Sequence, residues 1–199
     1  MNARILVVCT ANACRSPLAE QLLRARLGGW LPSEFSVSSA GTRVAYNHPA
    51  CREAGRLLER LGLDQAGHQP RQLTRELIDD AQLVLTAERD HRAAVARLAP
   101  EARWRTFTLR EAAALAEAAR AAGPRGDLYR AASAHGPAER LADFVDDLNR
   151  ARGLVEPTFD IADGHGSSAR RHRAALQLVD EAVAGIAAGL ALDRTLPQN

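Results

Sequence analysis

Short apolar runs alternate with longer amphipathic segments along most of the chain. The first run, residues 5–8, is continuously apolar, as is typical of a strand buried on both faces of a parallel sheet. Leucines at positions 18, 22, 23 and 27 then predict a helix with one buried face. The same reasoning predicts further strands over 35–39, 81–86 and 103–109, and further helices over 50–61, 88–98, 111–122, 141–148 and 176–190.

Strands that alternate with helices at these intervals predict an α/β fold, a parallel sheet with helices on both faces. We expect a single domain over 1–199 that carries a helical insertion at about 110–152, interrupted by a segment rich in Gly and Pro over 123–136. Our interpretation of the insertion is a packing element. The alternative is that it borders the functional site, because it leads directly into the segment around residue 160.

The segment between the first strand and the first helix reads Cys-Thr-Ala-Asn-Ala-Cys-Arg-Ser-Pro over 9–17. Ser16 followed by Pro17 is a helix-start signal, a capping side chain and then a ring preset for the first helical turn. The loop therefore lies between the carboxyl end of a strand and the amino end of a helix, where successive N–H groups form a cradle for an anion. The predicted phosphate-binding residues are Thr10, Ala11, Asn12, Ala13, Cys14, Arg15 and Ser16.

Two side chains make this anion site reactive. Cys9 follows the strand, and the positive potential of the loop favours its thiolate, the nucleophilic form. Arg15, six positions later, can grip two oxygens of a tetrahedral oxyanion. A thiolate and a bidentate arginine around one phosphate group are suited to in-line attack on phosphorus, which gives a cysteinyl-phosphate.

The composition and charge of the chain bear on its expected partners and on the compartment in which it works. The chain has 199 residues, is 46% hydrophobic and carries a net charge of +2 with both signs interspersed, so neither a nucleic acid nor a membrane surface is an expected partner. No apolar run reaches the ~20 residues of a membrane span, and no signal peptide precedes the first strand. Three cysteines, an odd number, argue against a secreted disulfide framework. We therefore expect a cytoplasmic protein; the oligomeric state is left open.

The loop resembles the signature of the low-molecular-weight protein tyrosine phosphatases: a cysteine, five residues, an arginine, then serine or threonine. The resemblance implies a four-stranded parallel sheet in the order 2-1-3-4 and hydrolysis of phosphotyrosine or related phosphoprotein monoesters. The substrate would be a phosphorylated protein or a small aryl phosphate, and no cofactor or metal is implied. No histidine–carboxylate cluster in the sequence has metal-ligand spacing.

The resemblance also implies roles for residues around the loop. Asn12, Ser16, Ser39 and His68 would hold it, with Ser16 donating to the Cys9 thiolate. Tyr46 would line the substrate crevice, and a surface tyrosine is the equal alternative.

The general acid of the family comes from a late loop, typically an aspartate followed by proline and an aromatic. Here Asp163 matches the acid, Gly164 replaces the proline, and His165 replaces the aromatic at the substrate crevice. Asp160 is the second candidate for the acid. In this scheme Cys9, Arg15 and Asp163 are the catalytic residues.

Several functions share this loop. Protein arginine phosphatases are the main alternative, and Ala13 occupies the position that usually separates them from the tyrosine-specific members. Arsenate reductases relay a disulfide through cysteines after the third strand, and the segment 86–91 has none. A phosphate-binding module without activity is disfavoured because nucleophile, arginine and acid are all present. Cys14 is interpreted as a thiol that protects oxidised Cys9.

Overall fold

A parallel sheet of four strands, in the order β2-β1-β3-β4, forms the centre of the structure, as predicted. The structure is a computed structural model that describes residues 3–28, 35–45, 51–64, 67–122, 136–156 and 160–191. The strands are β1 (Ala3–Cys9), β2 (Phe35–Gly41), β3 (Leu83–Thr86) and β4 (Thr106–Thr108).

The central strand β1 is buried on both faces, which explains its continuous apolar sequence. Ile5 and Val7 face one hydrophobic cluster, and Leu6 and Val8 face the other. Cys9 pairs in register with Gly41 on β2, and Val8 pairs with Thr86 on β3. The carboxyl ends of the three strands therefore meet at one edge, where open α/β sheets bind their ligands.

Helices cover both faces of the sheet. One face is covered by α1 (Arg15–Gly28), α2 (Arg52–Arg60), α5 (Leu109–Ala121), α6 (Pro137–Ala151) and α7 (Ala169–Ala191), which share one core. The other is covered by α3 (Arg75–Asp79), α4 (Arg89–Leu98) and a 3₁₀ helix, Pro100–Arg105. Of the helices in the described ranges, none combines the length and apolar character needed to cross a membrane.

The fourth strand is shorter than the sequence predicts. The prediction of a strand over 103–109 is wrong for its first half, which belongs to the 3₁₀ helix that begins at Pro100. The alternation around Trp104 suggested a sheet face, yet this side chain is 49% exposed and stacks beneath Arg105 at the surface. Only the three residues around the fully buried Phe107 pair with β3.

The short helix α3 was not predicted. Its first turn is capped by Thr74, whose hydroxyl accepts from the backbone N–H of Leu77 at 3.4 Å. A single helical turn contains too few apolar positions to show a period, and Ile78 is its one buried residue.

The described part of 110–152 packs on the same core as the rest of the fold. The α5 helix begins with a capping box, in which Thr108 and Glu111 each accept a hydrogen bond from the other's backbone N–H. The apolar residues of α6 predicted to share one face, Leu141, Phe144, Val145 and Leu148, are all buried. The segment 123–135 lies outside the described residues.

Helices α5 and α7 approach closely at glycines of the last helix. A Cβ atom on Gly189 would lie 2.8 Å from the Cβ of Ala116 and 2.9 Å from Cε2 of Phe144. A Cβ on Gly185, one turn earlier, would lie 3.1 Å from the Cβ of Ala113. This contact therefore depends on small residues, because any side chain there forces the helices apart.

We predict that Gly189→Val lowers the free energy of unfolding by about 1–3 kcal/mol, since the added atoms overpack the contact between α5 and α7. Urea unfolding measures the change. The matched control is Gly28→Val at the end of α1, where a Cβ meets nothing within 4 Å. Equal stability losses in the two variants would contradict the interpretation.

Candidate active site

The phosphate loop, defined here as residues 9–16, connects β1 to α1 and is held against β2. Cys9 is 2% exposed and ends β1. The N–H of Thr42 donates to the carbonyl of Cys9, and the N–H of Arg43 donates to that of Thr10, both at 2.9 Å. A Cβ on Gly41 would lie 2.6 Å from the Thr10 carbonyl oxygen. This position therefore requires glycine, because the two backbones touch.

Asn12 fixes the turn of the phosphate loop. Its φ of 53° places it in the left-handed region, which asparagine tolerates better than most residues. The side-chain amide donates to the hydroxyls of Ser39, at 2.8 Å, and Ser16, at 3.1 Å, and accepts from the Arg71 N–H at 2.9 Å. His68 Nε2 lies 2.7 Å from the Asn12 carbonyl oxygen. The structure thus brings together the four residues predicted to hold the loop.

Ser16 is not the helix cap that the sequence suggested, because α1 already begins at Arg15. Its hydroxyl oxygen lies 3.0 Å from the sulfur of Cys9. When Cys9 is a thiolate, the sulfur accepts and the hydroxyl donates. This is the contact through which the resemblance has Ser16 donate to the thiolate.

The guanidinium of Arg15 is buried, since the residue is only 2% exposed. Its contacts hold the plane of the guanidinium in one orientation. One terminal nitrogen donates to the Ile161 carbonyl at 2.8 Å and to the carboxylate of Glu88. The other donates to the hydroxyl of Thr10 at 3.2 Å and forms an ion pair with Asp163 at 2.9 Å. The predicted arginine and the predicted acid are therefore neighbours.

The two candidate acids differ in position. The carboxylate of Asp160 accepts from the backbone N–H of Arg89 at 2.9 Å and pairs with its side chain, which ties the late loop to the start of α4. Asp163 is partly exposed and pairs with Arg15 inside the site. The geometry thus gives Asp160 an anchoring position and favours Asp163 for chemistry.

Sequence reasoning missed two residues of the site, Glu88 and His91. His91 Nδ1 accepts from the Glu88 N–H at 3.1 Å, so its ring proton is on Nε2, which lies 2.9 Å from the Thr10 hydroxyl. That hydroxyl accepts from His91 and Arg15, which leaves its own proton for a bound anion. The spacing of Glu88 and His91 after a strand is a capping pattern, the one signal that could have revealed them.

Burial, and then the positive charge of Arg15, lower the pKa of His91 below its usual value. A histidine that stays neutral when folded weakens the fold at low pH, because the unfolded chain binds the proton first. Stability should be lost as the pH falls below about 6.5, the ordinary pKa of histidine.

We predict that the free energy of unfolding of the wild type falls more steeply between about pH 7 and about pH 5 than that of His91→Gln. The two slopes should differ by up to ~1.4 kcal/mol per pH unit. Urea unfolding of both proteins across this range provides the difference. Parallel stability curves would refute a neutral buried His91.

Cys14 lies in the same loop as Cys9, and its sulfur contacts a different set of side chains. Its sulfur is 3.0 Å from the sulfur of Cys51 and 3.1 Å from Nε2 of His172, whereas the Cys9 sulfur contacts Ser16. The thiol hydrogen bond from Cys14 lowers the pKa of Cys51 to about 5, and the same contact with burial raises the pKa of Cys14. That Cys14 reaches Cys9 on oxidation stays a prediction; the contact in this structure is with Cys51.

The two predicted crevice residues have different outcomes. Tyr46 lies outside the described residues. His165 is exposed, and its ring meets that of His172 edge-on at 5.4 Å between centroids. His165 therefore packs beside the sulfur pair that Cys14 forms with Cys51.

Comparison with known proteins agrees with this fold and loop. A sequence model of the family described as "Low molecular weight phosphotyrosine protein phosphatase" matches residues 4–124. A "Putative low molecular weight protein-tyrosine-phosphatase" of Klebsiella pneumoniae is 40% identical over 107 residues, 54% of this chain and 71% of that protein. A "Protein-arginine-phosphatase" of Geobacillus stearothermophilus is 40% identical over 111 residues, 56% of this chain and 72% of that protein.

The solved structures agree as well. The tyrosine phosphatase Wzb from Escherichia coli K30, in complex with sulphate, superposes with a TM-score of 0.65 and 26% identity, covering 96% of this chain and 100% of that one. The family model and the named relatives, together with this fold and loop, place the chain in the class of cysteine-dependent phosphatases. The chain belongs to the low-molecular-weight phosphotyrosine protein phosphatase family. The predicted family and fold are confirmed.

Proposed function

We propose that this protein hydrolyses phosphotyrosine or a related phosphoprotein monoester through a cysteinyl-phosphate on Cys9. The observation that carries the proposal is the buried guanidinium of Arg15, which is fixed beside the cysteine loop and paired with Asp163 at 2.9 Å. A buried cation beside a nucleophile and an acid is the arrangement that phosphoryl transfer needs.

In the first step the Cys9 thiolate attacks phosphorus, the sulfur–phosphorus bond forms and the bond to the leaving oxygen breaks. Arg15 and the loop N–H groups stabilise the charge that builds on the three phosphoryl oxygens. The phosphoryl group competes with Asp163 for Arg15, and protonated Asp163 gives its proton to the leaving oxygen.

In the second step Asp163 accepts a proton from water, the water oxygen attacks phosphorus and the sulfur–phosphorus bond breaks. Ser16 donates to the sulfur at 3.0 Å and so stabilises the departing thiolate. Asn12, Ser39 and His68 are bonded to one another through Asn12 and hold the loop in place through both steps. The thiolate mechanism requires a reducing compartment, so we infer that the protein works in the cytoplasm.

A protein arginine phosphatase is the second candidate. The observation in its favour is the Geobacillus stearothermophilus relative, which is as similar over its matched part as the Klebsiella pneumoniae relative is. Ala13 is small and apolar and does not distinguish the two substrates.

We predict that the wild type releases phosphate from a phosphotyrosine or a phosphoarginine peptide, and that Cys9→Ser loses this activity by roughly 10⁴-fold or more. Matched peptides that differ only in the phosphorylated residue are compared in reductant, with circular dichroism as a control for folding. The preferred peptide decides the substrate class. Absence of release from either peptide, or undiminished release by Cys9→Ser, would overturn the proposal.

We predict a bell-shaped dependence of kcat on pH for the wild type, with an acid-side optimum, because Asp163 must be protonated in the first step. Asp163→Asn should lower kcat roughly 10²–10⁴-fold and remove the alkaline limb of the profile. Asp160→Asn is the matched control and should keep that limb. If Asp160→Asn loses the limb and Asp163→Asn keeps it, the acid is Asp160.

A further inference from the structure

Four metal-ligating side chains meet at the phosphate loop, in a group that does not include Cys9. They are Cys14 of the phosphate loop, Cys51 at the start of α2, His165 of the late loop and His172 of α7. One ligand atom of each lies within 4.8 Å of all the others. We call these four residues the Cys–His cluster.

We propose that the Cys–His cluster binds one Zn²⁺ ion in a structural site. Two thiolates and two imidazoles are a donor set that zinc prefers, and all four ligands come from the protein. Zinc lies about 2.3 Å from sulfur and about 2.0–2.1 Å from imidazole nitrogen, so a tetrahedral site has ligand atoms roughly 3.3–3.8 Å apart. The cluster is already compact enough to enclose one ion.

Three of the four ligand atoms already lie at distances near those of a zinc site. Nε2 of His172 lies 3.1 Å from the Cys14 sulfur and 3.4 Å from the Cys51 sulfur, close to the roughly 3.6 Å of a tetrahedral zinc site. The two sulfurs, 3.0 Å apart, would separate by about 0.8 Å around zinc. Binding releases the proton of each thiol that is still protonated, so affinity should fall as the pH falls.

Burial gives the cluster a closed interior and one open side. Cys14 and Cys51 are 7% and 3% exposed, His172 is half-buried, and His165 is exposed. The N–H of Cys51 donates to the carbonyl of Ala13 at 3.0 Å, which fixes this ligand to the phosphate loop independently of its sulfur. Three ligands are therefore preorganised, and the fourth lies where an ion would enter.

Gly164 supplies an independent argument. A Cβ at this position would lie 2.7 Å from both Cα and Cδ2 of His172, so the ring reaches the sulfurs only because residue 164 is glycine. Gly164 thus makes room for one histidine ligand, and the residue that follows it, His165, is the other.

A disulfide between Cys14 and Cys51 is the competing interpretation of the short sulfur–sulfur distance. Such a bond uses the two sulfurs alone, with a length of about 2.0 Å, and assigns no role to the histidines. Zinc uses all four side chains. The ion would join the phosphate loop to the late loop, where the His165 N–H donates to Asp163 at 2.9 Å, without using Cys9 as a ligand.

The test is the zinc content of the full chain, purified in reductant without a histidine tag and measured by mass spectrometry of the metal. We expect about one zinc per chain in the wild type. Cys51→Ser and His172→Ala each remove one ligand. Each should lower zinc affinity by at least roughly 10–100-fold, which is the loss expected when only a hydrogen-bond partner of a ligand is removed. Cys9→Ser is the matched thiol control and should keep the metal.

Cobalt substitution tests the geometry in the folded wild type, whatever the stability of the variants. Tetrahedral Co²⁺ with two thiolates should give sulfur-to-metal charge-transfer bands and strong visible bands. The proposal is wrong if the reduced protein binds neither metal, or if Cys9→Ser abolishes binding, which would place the ion at the nucleophile. A Cys14–Cys51 disulfide with no metal uptake after reduction would equally overturn it. Metal content and phosphate release are separate measurements. The zinc proposal can therefore fail while the proposed function holds.

Discussion

The site depends on the buried guanidinium of Arg15, because each N–H group of a buried cation needs a hydrogen-bond acceptor or a negative charge beside it. A cation at 2% exposure is costly unless its N–H groups are satisfied. Arg15 satisfies them with Thr10, Glu88, Ile161 and Asp163, which lie on three separate segments of the chain. One buried charge therefore assembles the phosphate loop, the start of α4 and the late loop into a single site.

The second constraint is the left-handed turn at Asn12. A loop that points successive N–H groups inward must turn against the usual handedness, and the side chain of Asn12 replaces the lost backbone contacts with bonds to Ser16, Ser39 and Arg71. Ser39 in turn donates to Glu20, a buried carboxylate paired with Arg24. The shape of the loop is thus enforced from the helix that follows it and from the neighbouring strand.

The parts of the fold that depend on local sequence could be predicted. The apolar run of β1, the loop from Cys9 to Arg15 and the face of α1 each lie within a few residues, so period and spacing reveal them. The alternation around Trp104 led to a wrong strand prediction. An alternating pattern shows that a side chain is apolar, but it does not show that the side chain packs against a core. Glu88 and His91 were missed because their role appears only when β3 brings them beside Thr10, 81 positions away from His91.

The Cys–His cluster is a stronger example of residues that meet only in the folded chain. Cys14 and His172 are 158 positions apart, and no spacing rule joins them. Cysteine spacing alone links Cys14 to Cys9, five residues earlier, and gives no sign of Cys51 or His172. Ser16 contacts the Cys9 sulfur, whereas Cys51 and His172 contact the Cys14 sulfur. One short loop therefore presents its two thiols to different partners, which spacing along the chain does not reveal.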